Sequence, residues 1–473
     1  MRSHVYPWLL SLCAIHACAD SVRPAPTDAQ ADVMLRDASD SGLVDSARPD
    51  VPVVRDVTPT CPAGETAAGR CDNGTVVRCS EGILTRDACA NGQRCRPPLS
   101  GAGAQCVPLS LEAVVITGSV RYERRPLTLM GLGAVTTASI AGLPVELVGP
   151  ANTVLASGVL TDAMGQYRLE ANVPTGDPVF VRVRLARNDA QYRFTVENFS
   201  NAIYAISSSP MPAEAMMVRD IVITQAANAG AVAIFDTIRD GLDFVRANLP
   251  TSAPMLRLRW ERGRMPPGGT SYFTRNSNSI WLLGGPTDSD EFDLPVIFHE
   301  FGHFVEQNFS RTSSPGGSHD GSPTDPRLAW GEGWGTWFGC IANGSNLYLD
   351  ANVNGSLRVN RDLANLPLVR PNMGDSSAPI AQPIGEYLVA GSLWALSSNG
   401  ADPSQQLRRS LEVSTRFFTR MPTPDRATTG VDFVDFLDGY MCLHMEADRD
   451  VVQRYVVDAR RFPYDFAYQG SCR

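Results

Sequence analysis

The chain carries one H-E-x-x-H segment, His299-Glu300-Phe301-Gly302-His303, and that segment dictates much of the architecture around it. Apolar residues at Leu294, Ile297, Phe298, Phe301 and Phe304-Val305 recur with helical period, so the stretch from Phe292 to Phe309 is expected to form a helix with a buried face. Histidines four apart stack on one side of a helix, where two ring nitrogens can converge on one metal ion. Glu300 lies about 100° further round, within reach of metal-bound water without being a ligand itself. With 6 His among 473 residues, chance supplies only about 0.003 such segments. The bland reading is a pair of satisfied core histidines beside a solvated glutamate. A catalytic ion needs a third protein ligand and an open position. Trp330-Gly331-Glu332-Gly333-Trp334 places a carboxylate in an aromatic, glycine-rich setting, and Glu332 is the expected third ligand. Glu306, Asp320 and Asp325 sit among ordinary helix or loop polar residues, while Glu291 and Asp293 are expected to fall behind the helix.

The N-terminal sequence places this centre outside the cytoplasm. Arg2, the apolar stretch from Trp8 to Ile15 and the small residues Ala17-Cys18-Ala19 form a secretory signal pattern over residues 1–19. Cleavage after Ala19 gives a secreted protein, whereas cleavage before Cys18 gives a bacterial outer-surface lipoprotein that meets the membrane only through its lipid. Residues 20–60 repeat Asp and Pro without an aromatic residue and read as a solvated stalk. Residues 61–109 hold Cys61, Cys71, Cys79, Cys89, Cys95 and Cys106 with few large apolar side chains, which calls for disulfide staples. From 110 to 224, β-branched runs at Ala113–Val120, Leu143–Val148, Val154–Leu160 and Val179–Arg184 read as a β-sandwich. From 225 to 473, mixed helices and strands predict an α+β domain, beginning with an amphipathic helix from Ala231 that ends before Pro250. The expected whole is multidomain: a small disulfide-rich module, an all-β sandwich and an α+β domain. A net charge of -9 argues against nucleic acid or anionic lipid as partner, and a monomer is expected. Cys442 and Cys472 are expected to pair, leaving Cys340 as a buried thiol. Asp350-Ala351-Asn352-Val353-Asn354-Gly355 matches half a calcium loop, but Arg361 stands at the twelfth position, so a turn is expected and calcium is the minor alternative.

The HEFGH helix followed about thirty residues later by GEGW resembles the gluzincin branch of the zincin metallopeptidases, most nearly the fungalysin type. The resemblance covers roughly residues 225 to 400. It implies a two-lobed catalytic domain, one zinc ion held by His299, His303 and Glu332, and Glu300 as general base. It also implies that Asn278-Ser279-Ile280-Trp281 is an edge strand pairing with substrate backbone. Peptide bonds would be the substrate, with endopeptidase activity favoured because no G-x-M-E-N segment occurs. Upstream, ITGSV, LPVELVG and LTDAMGQYRLEA resemble the carboxypeptidase regulatory-like β-sandwich, with Gly165 in a turn and Tyr167 packed inward. Two departures stand out. Thr336 replaces the aspartate that orients a zinc histidine in the family, and Gln382 falls where the oxyanion-stabilising histidine belongs. Tyr387, His319 and Gln382 are the candidates for that role. The rival expectation is a catalytically silent zincin scaffold serving as a surface lipoprotein in adhesion or binding, and a third is a carbohydrate-binding protein that uses the sandwich.

Overall fold

The computed structural model describes residues 60–98, 103–249, 252–398, 403–418, 425–444 and 448–468. The signal segment with Cys18, nearly all of the stalk, and Cys472 lie outside them. Strands β1 (Arg70–Asp72), β2 (Thr75–Ser80) and β3 (Ile83–Ala88) form a small antiparallel sheet, and β4 (Gln93–Arg96) pairs with β5 (Gln105–Pro108). Disulfides Cys61–Cys79, Cys71–Cys95 and Cys89–Cys106 tie them together. Among the described residues of this module, the buried apolar side chains are Val76, Val77, Cys79 and Ala104. So small a core cannot hold fifty residues together, and the covalent links supply what burial does not. Three disulfides suggest an extracytoplasmic location, and no helix among the described residues is long and apolar enough to cross a membrane.

The next unit is strand-rich. β6 (Leu111–Arg124), β7 (Pro144–Val148), β8 (Val154–Leu160), β9 (Gln166–Pro174) and β10 (Pro178–Arg184) distribute into two sheets, β8-β7-β10 in one and β9-β6 in the other. Alternation drives the layering: Val179, Val181 and Val183 of β10 are buried while the residues between them are partly exposed. Gly165 adopts φ +77° in the turn before β9, and the Tyr167 hydroxyl donates to the Arg219 carbonyl from a buried ring.

A mixed sheet joins this region to the rest. It contains β11 (Ala186–Asn188), β12 (Arg193–Glu197), β13 (Leu256–Arg259), β14 (Tyr272–Thr274) and β15 (Ser279–Trp281), in the order β11-β12-β13-β15-β14. β12, β13 and β15 run parallel and β14 antiparallel. This sheet crosses residue 224, where the sequence pattern changes, because Phe194 and Val196 of β12 are completely buried and the Phe194 ring packs, tilted by 44° with centroids 4.7 Å apart, against Phe235 of helix α1 (Ala229–Asn248). β15 corrects one expectation. It is hydrogen-bonded on both sides, so the free edge belongs to β14 instead.

Helices α2 (Leu294–Phe309), α3 (Pro326–Ala342) and α4 (Glu386–Ser398) pack side by side, with the hairpin β16 (Leu347–Ala351) and β17 (Leu357–Asp362) against α2. α3 is buried continuously from Leu328 to Cys340, with Glu332 and Thr336 the polar side chains in an otherwise apolar stretch, as befits a helix at the centre of a layer. Its glycines set the spacing: a Cβ on Gly339 would lie 2.8 Å from the Pro295 carbonyl of α2, and one on Gly335 would lie 3.2 Å from both ligand-candidate imidazoles. α5 (Pro403–Glu412) and α6 (Phe433–His444) close the C-terminal side. Cys442 is disulfide-bonded and Cys340 is a buried free thiol. Residues 352–356 form the turn of the β16/β17 hairpin, where Asn352 and Asn354 bond to Ser356.

Candidate metal centre

α2 presents His299 and His303 one turn apart, with the first histidine buried among aromatic residues. α3 brings Glu332 to meet them. His299 Nε2 lies 3.2 Å and His303 Nε2 3.3 Å from Glu332 Oε2, and the two Nε2 atoms are 3.1 Å apart. A tetrahedral ion with bonds of ~2.0–2.1 Å has ligand-to-ligand edges of ~3.3–3.4 Å, so this triangle has the size that a small divalent ion requires. Two imidazole nitrogens at 3.1 Å also repel unless a proton or a cation lies between them. Donor types and spacing thus fit a metal, and the buried His299 and Glu332 with the partly buried His303 form a group that could bind one.

Electrostatics agree. Burial disfavours a charged His303, yet Glu332 outweighs it and pushes the imidazole up to about 10. Burial disfavours ionised Glu332 as well, but His319 and His303 hold its carboxyl well below the ordinary range. The cluster therefore keeps an anionic carboxylate among imidazoles, and protons occupy it where a cation does not. Thr336 stands one turn beyond Glu332 on α3. Its hydroxyl lies 3.2 Å from His299 Nδ1, positioned to accept the Nδ1–H and leave the Nε2 lone pair facing the cluster.

His319, on the loop before α3, is buried with Nε2 at 3.2 Å from Glu332 Oε2, although no hydrogen bond satisfies that nitrogen. Its Nδ1 bonds to Glu386 Oε2 at 2.5 Å, which fixes the ring. Tyr387, the next residue on α4, has its ring against Gly321 and lines the same cavity as His299, Glu300 and His319. Burial raises its phenol well above the ordinary value, so the hydroxyl remains a donor. Gln382 is elsewhere: its amide bonds the Asp375 backbone at 2.8 and 2.9 Å and pins a loop. It is not among the residues lining the cavity with His299, Glu300 and His319.

Glu300 lines two small cavities that flank the cluster, of about 20 and 50 Å³. Tyr272 and Phe273 of the edge strand β14 wall the first, together with His303 and Glu332. Glu386 and Tyr348 were not singled out from the sequence. Glu386 belongs to Ile384-Gly385-Glu386-Tyr387, and a carboxylate opening an apolar helix beside a candidate tyrosine was the signal that could have found it. Tyr348, whose ring lies 5.8 Å from that of His299, is a strand aromatic with no distinguishing pattern. Comparison with protein-family models finds no match, and comparison with curated proteins finds none either.

Proposed function

We propose that this chain is an exported zinc metallopeptidase of gluzincin type that cleaves peptide bonds within protein substrates. The observation that carries the reading is the convergence of His299, His303 and Glu332 at tetrahedral spacing, with Glu300 facing the clefts on either side. Bound there, zinc supplies a Lewis acid and lowers the pKa of a water it holds from about 15.7 towards ~7. Glu300 accepts a proton at its carboxylate and returns it to the leaving amine. His319, its ring fixed by Glu386, and Tyr387 donate hydrogen bonds to the oxygen that gains charge. β14 offers its free backbone edge to an extended substrate, with Tyr272 and Phe273 flanking the cleft. Thr336 orients His299 where a carboxylate would do so more forcefully.

Glu300→Gln is the test, read as cleavage of casein alongside zinc content. The reading expects bound zinc to persist while turnover falls by ~10²–10⁴-fold. Cleavage within a few-fold of the unaltered chain contradicts the role of Glu300. Zinc without any cleavage in the unaltered chain supports the second reading, a silent scaffold that binds rather than cuts, for which Thr336 is the motivating residue.

A further inference from the structure

A second convergence of side chains lies in the wall of the larger cavity and takes no part in the proposed chemistry. Asp288 and Asp290 come from the loop leading into α2 and Asp350 from β16, and one carboxylate oxygen from each lies within 4.8 Å of the other two. Asp293 stands at the start of α2. Its side chain is completely buried; Oδ2 accepts the Ala351 amide at 2.7 Å, while Oδ1 has no hydrogen-bond partner. Asp350, next to that amide, is within reach of Asp293, and the charges of Asp290 and Asp350 both act on it, so this buried carboxylate backs the group. Asp288 Oδ1 and Asp350 Oδ1 are likewise buried without partners.

The charge balance is lopsided. Arg358 of β17 pairs with Asp288, and the Ser271 hydroxyl donates to Asp290, but Glu291 adds a further carboxylate nearby. Buried carboxylates that lack donors persist only when they are protonated or enclose a cation. Burial and mutual repulsion raise Asp290 and Asp293 well above the ordinary range and Asp350 to about 6, as expected of a group missing a counter-ion.

We propose that Asp288, Asp290 and Asp350, backed by Asp293, bind one calcium ion. Oxygens around calcium sit at ~2.3–2.6 Å, so three oxygens no more than 4.8 Å apart can all reach one such ion. Magnesium, at ~2.0–2.1 Å, keeps most of its waters and is held by one or two carboxylates, so a group of three carboxylates favours calcium. An all-carboxylate donor set suits a hard ion and separates this site from the nitrogen-rich cluster at His299. The ion ties the loop before α2 to the hairpin, a junction already marked by the Val353 amide bonding Thr287 O at 3.1 Å. Since the hairpin carries Tyr348 beside His299, calcium braces one wall of the larger cavity. The inference stands whether or not the chain is a peptidase.

The experiment is calorimetric titration of the chelator-stripped full chain with calcium chloride, repeated with magnesium chloride, together with melting curves at each concentration. One calcium per chain should bind, and ~10 mM calcium, tenfold above the weakest extracellular sites, should raise the melting temperature by roughly 2–5 °C. Asp290→Asn and Asp350→Asn should each abolish the binding heat while keeping the zinc content of the unaltered chain, which shows that the variants are folded. Absence of calcium heat up to that concentration overturns the proposal, as does an equal response to magnesium. A melting temperature indifferent to calcium but rising on acidification assigns the cluster to shared protons and overturns it too.

Discussion

Thr336 contributes through one hydroxyl, 3.2 Å from His299 Nδ1, and its effect is separable from that of the ligands. Thr336→Val keeps the shape of α3 and removes the acceptor, so metal affinity should fall by ~10–100-fold, measured by competition with a chromogenic chelator. Unchanged affinity would show that the ring is held by packing alone. The candidate histidine pair was legible because helical geometry is local: a four-residue spacing fixes where His299 and His303 point before any tertiary contact forms. His319 was legible only as one of several candidates, since its partner Glu386 lies sixty-seven positions away and no local pattern links them. The convergence of the aspartates was not legible for the same reason. Asp293 was expected to fall behind the helix, which it does relative to the histidines, yet what it meets there is Asp350 on a strand that follows two helices later.

Helix packing decides how near the ligands can come. Gly339 admits the Pro295 carbonyl so closely that Gly339→Ala should push α3 from α2, costing about 1–3 kcal/mol in urea denaturation. A cost near zero would mean that the helices slide apart freely and that the spacing at the cluster is not set there. α6 supplies a pH-dependent element. Asp432 Oδ1 accepts the Val434 amide at 2.8 Å, and Asp435 Oδ2 accepts the Asp432 amide at 3.0 Å, a reciprocal cap on the helix start. Burial raises Asp432 to about 7 and Asp435 to about 8. The folded chain then holds protons that the unfolded chain releases near pH ~4, so this contribution to stability is full below ~4 and lost as pH climbs to ~8. Asp435→Asn keeps an acceptor without the charge. It should stabilise the protein at pH 8 by about 1 kcal/mol and flatten the melting temperature between pH ~4 and ~8; an unchanged slope would place the titration elsewhere. The regular elements were readable from period: β10 alternates and α2 repeats as their sequences demand. Which strand forms the sheet edge was not, because pairing order depends on partners distant in sequence.

At the scale of the molecule, the mixed sheet makes the sandwich and the helical region interdependent. β12 lies between β11 and β13, so a chain beginning at residue 225 lacks the strands that cover one side of β13 and the ring that packs against Phe235. Such a chain should be insoluble or lose its cooperative melt, whereas one beginning at residue 103 should melt as one unit; a well-folded 225–473 fragment would refute that interdependence. Composition announced several units, but local patterns could not reveal a sheet that spans two of them. The arrangement surrounds the candidate metal cluster with α2, α3 and α4 and walls it with β14 and the β16/β17 hairpin. Elemental analysis of the purified full chain beside a His299→Ala/His303→Ala variant bears on this centre most directly. About one zinc per chain, absent from the variant, is the predicted result; zinc retained by the variant, or an unaltered chain that takes up none when zinc is supplied, would contradict it.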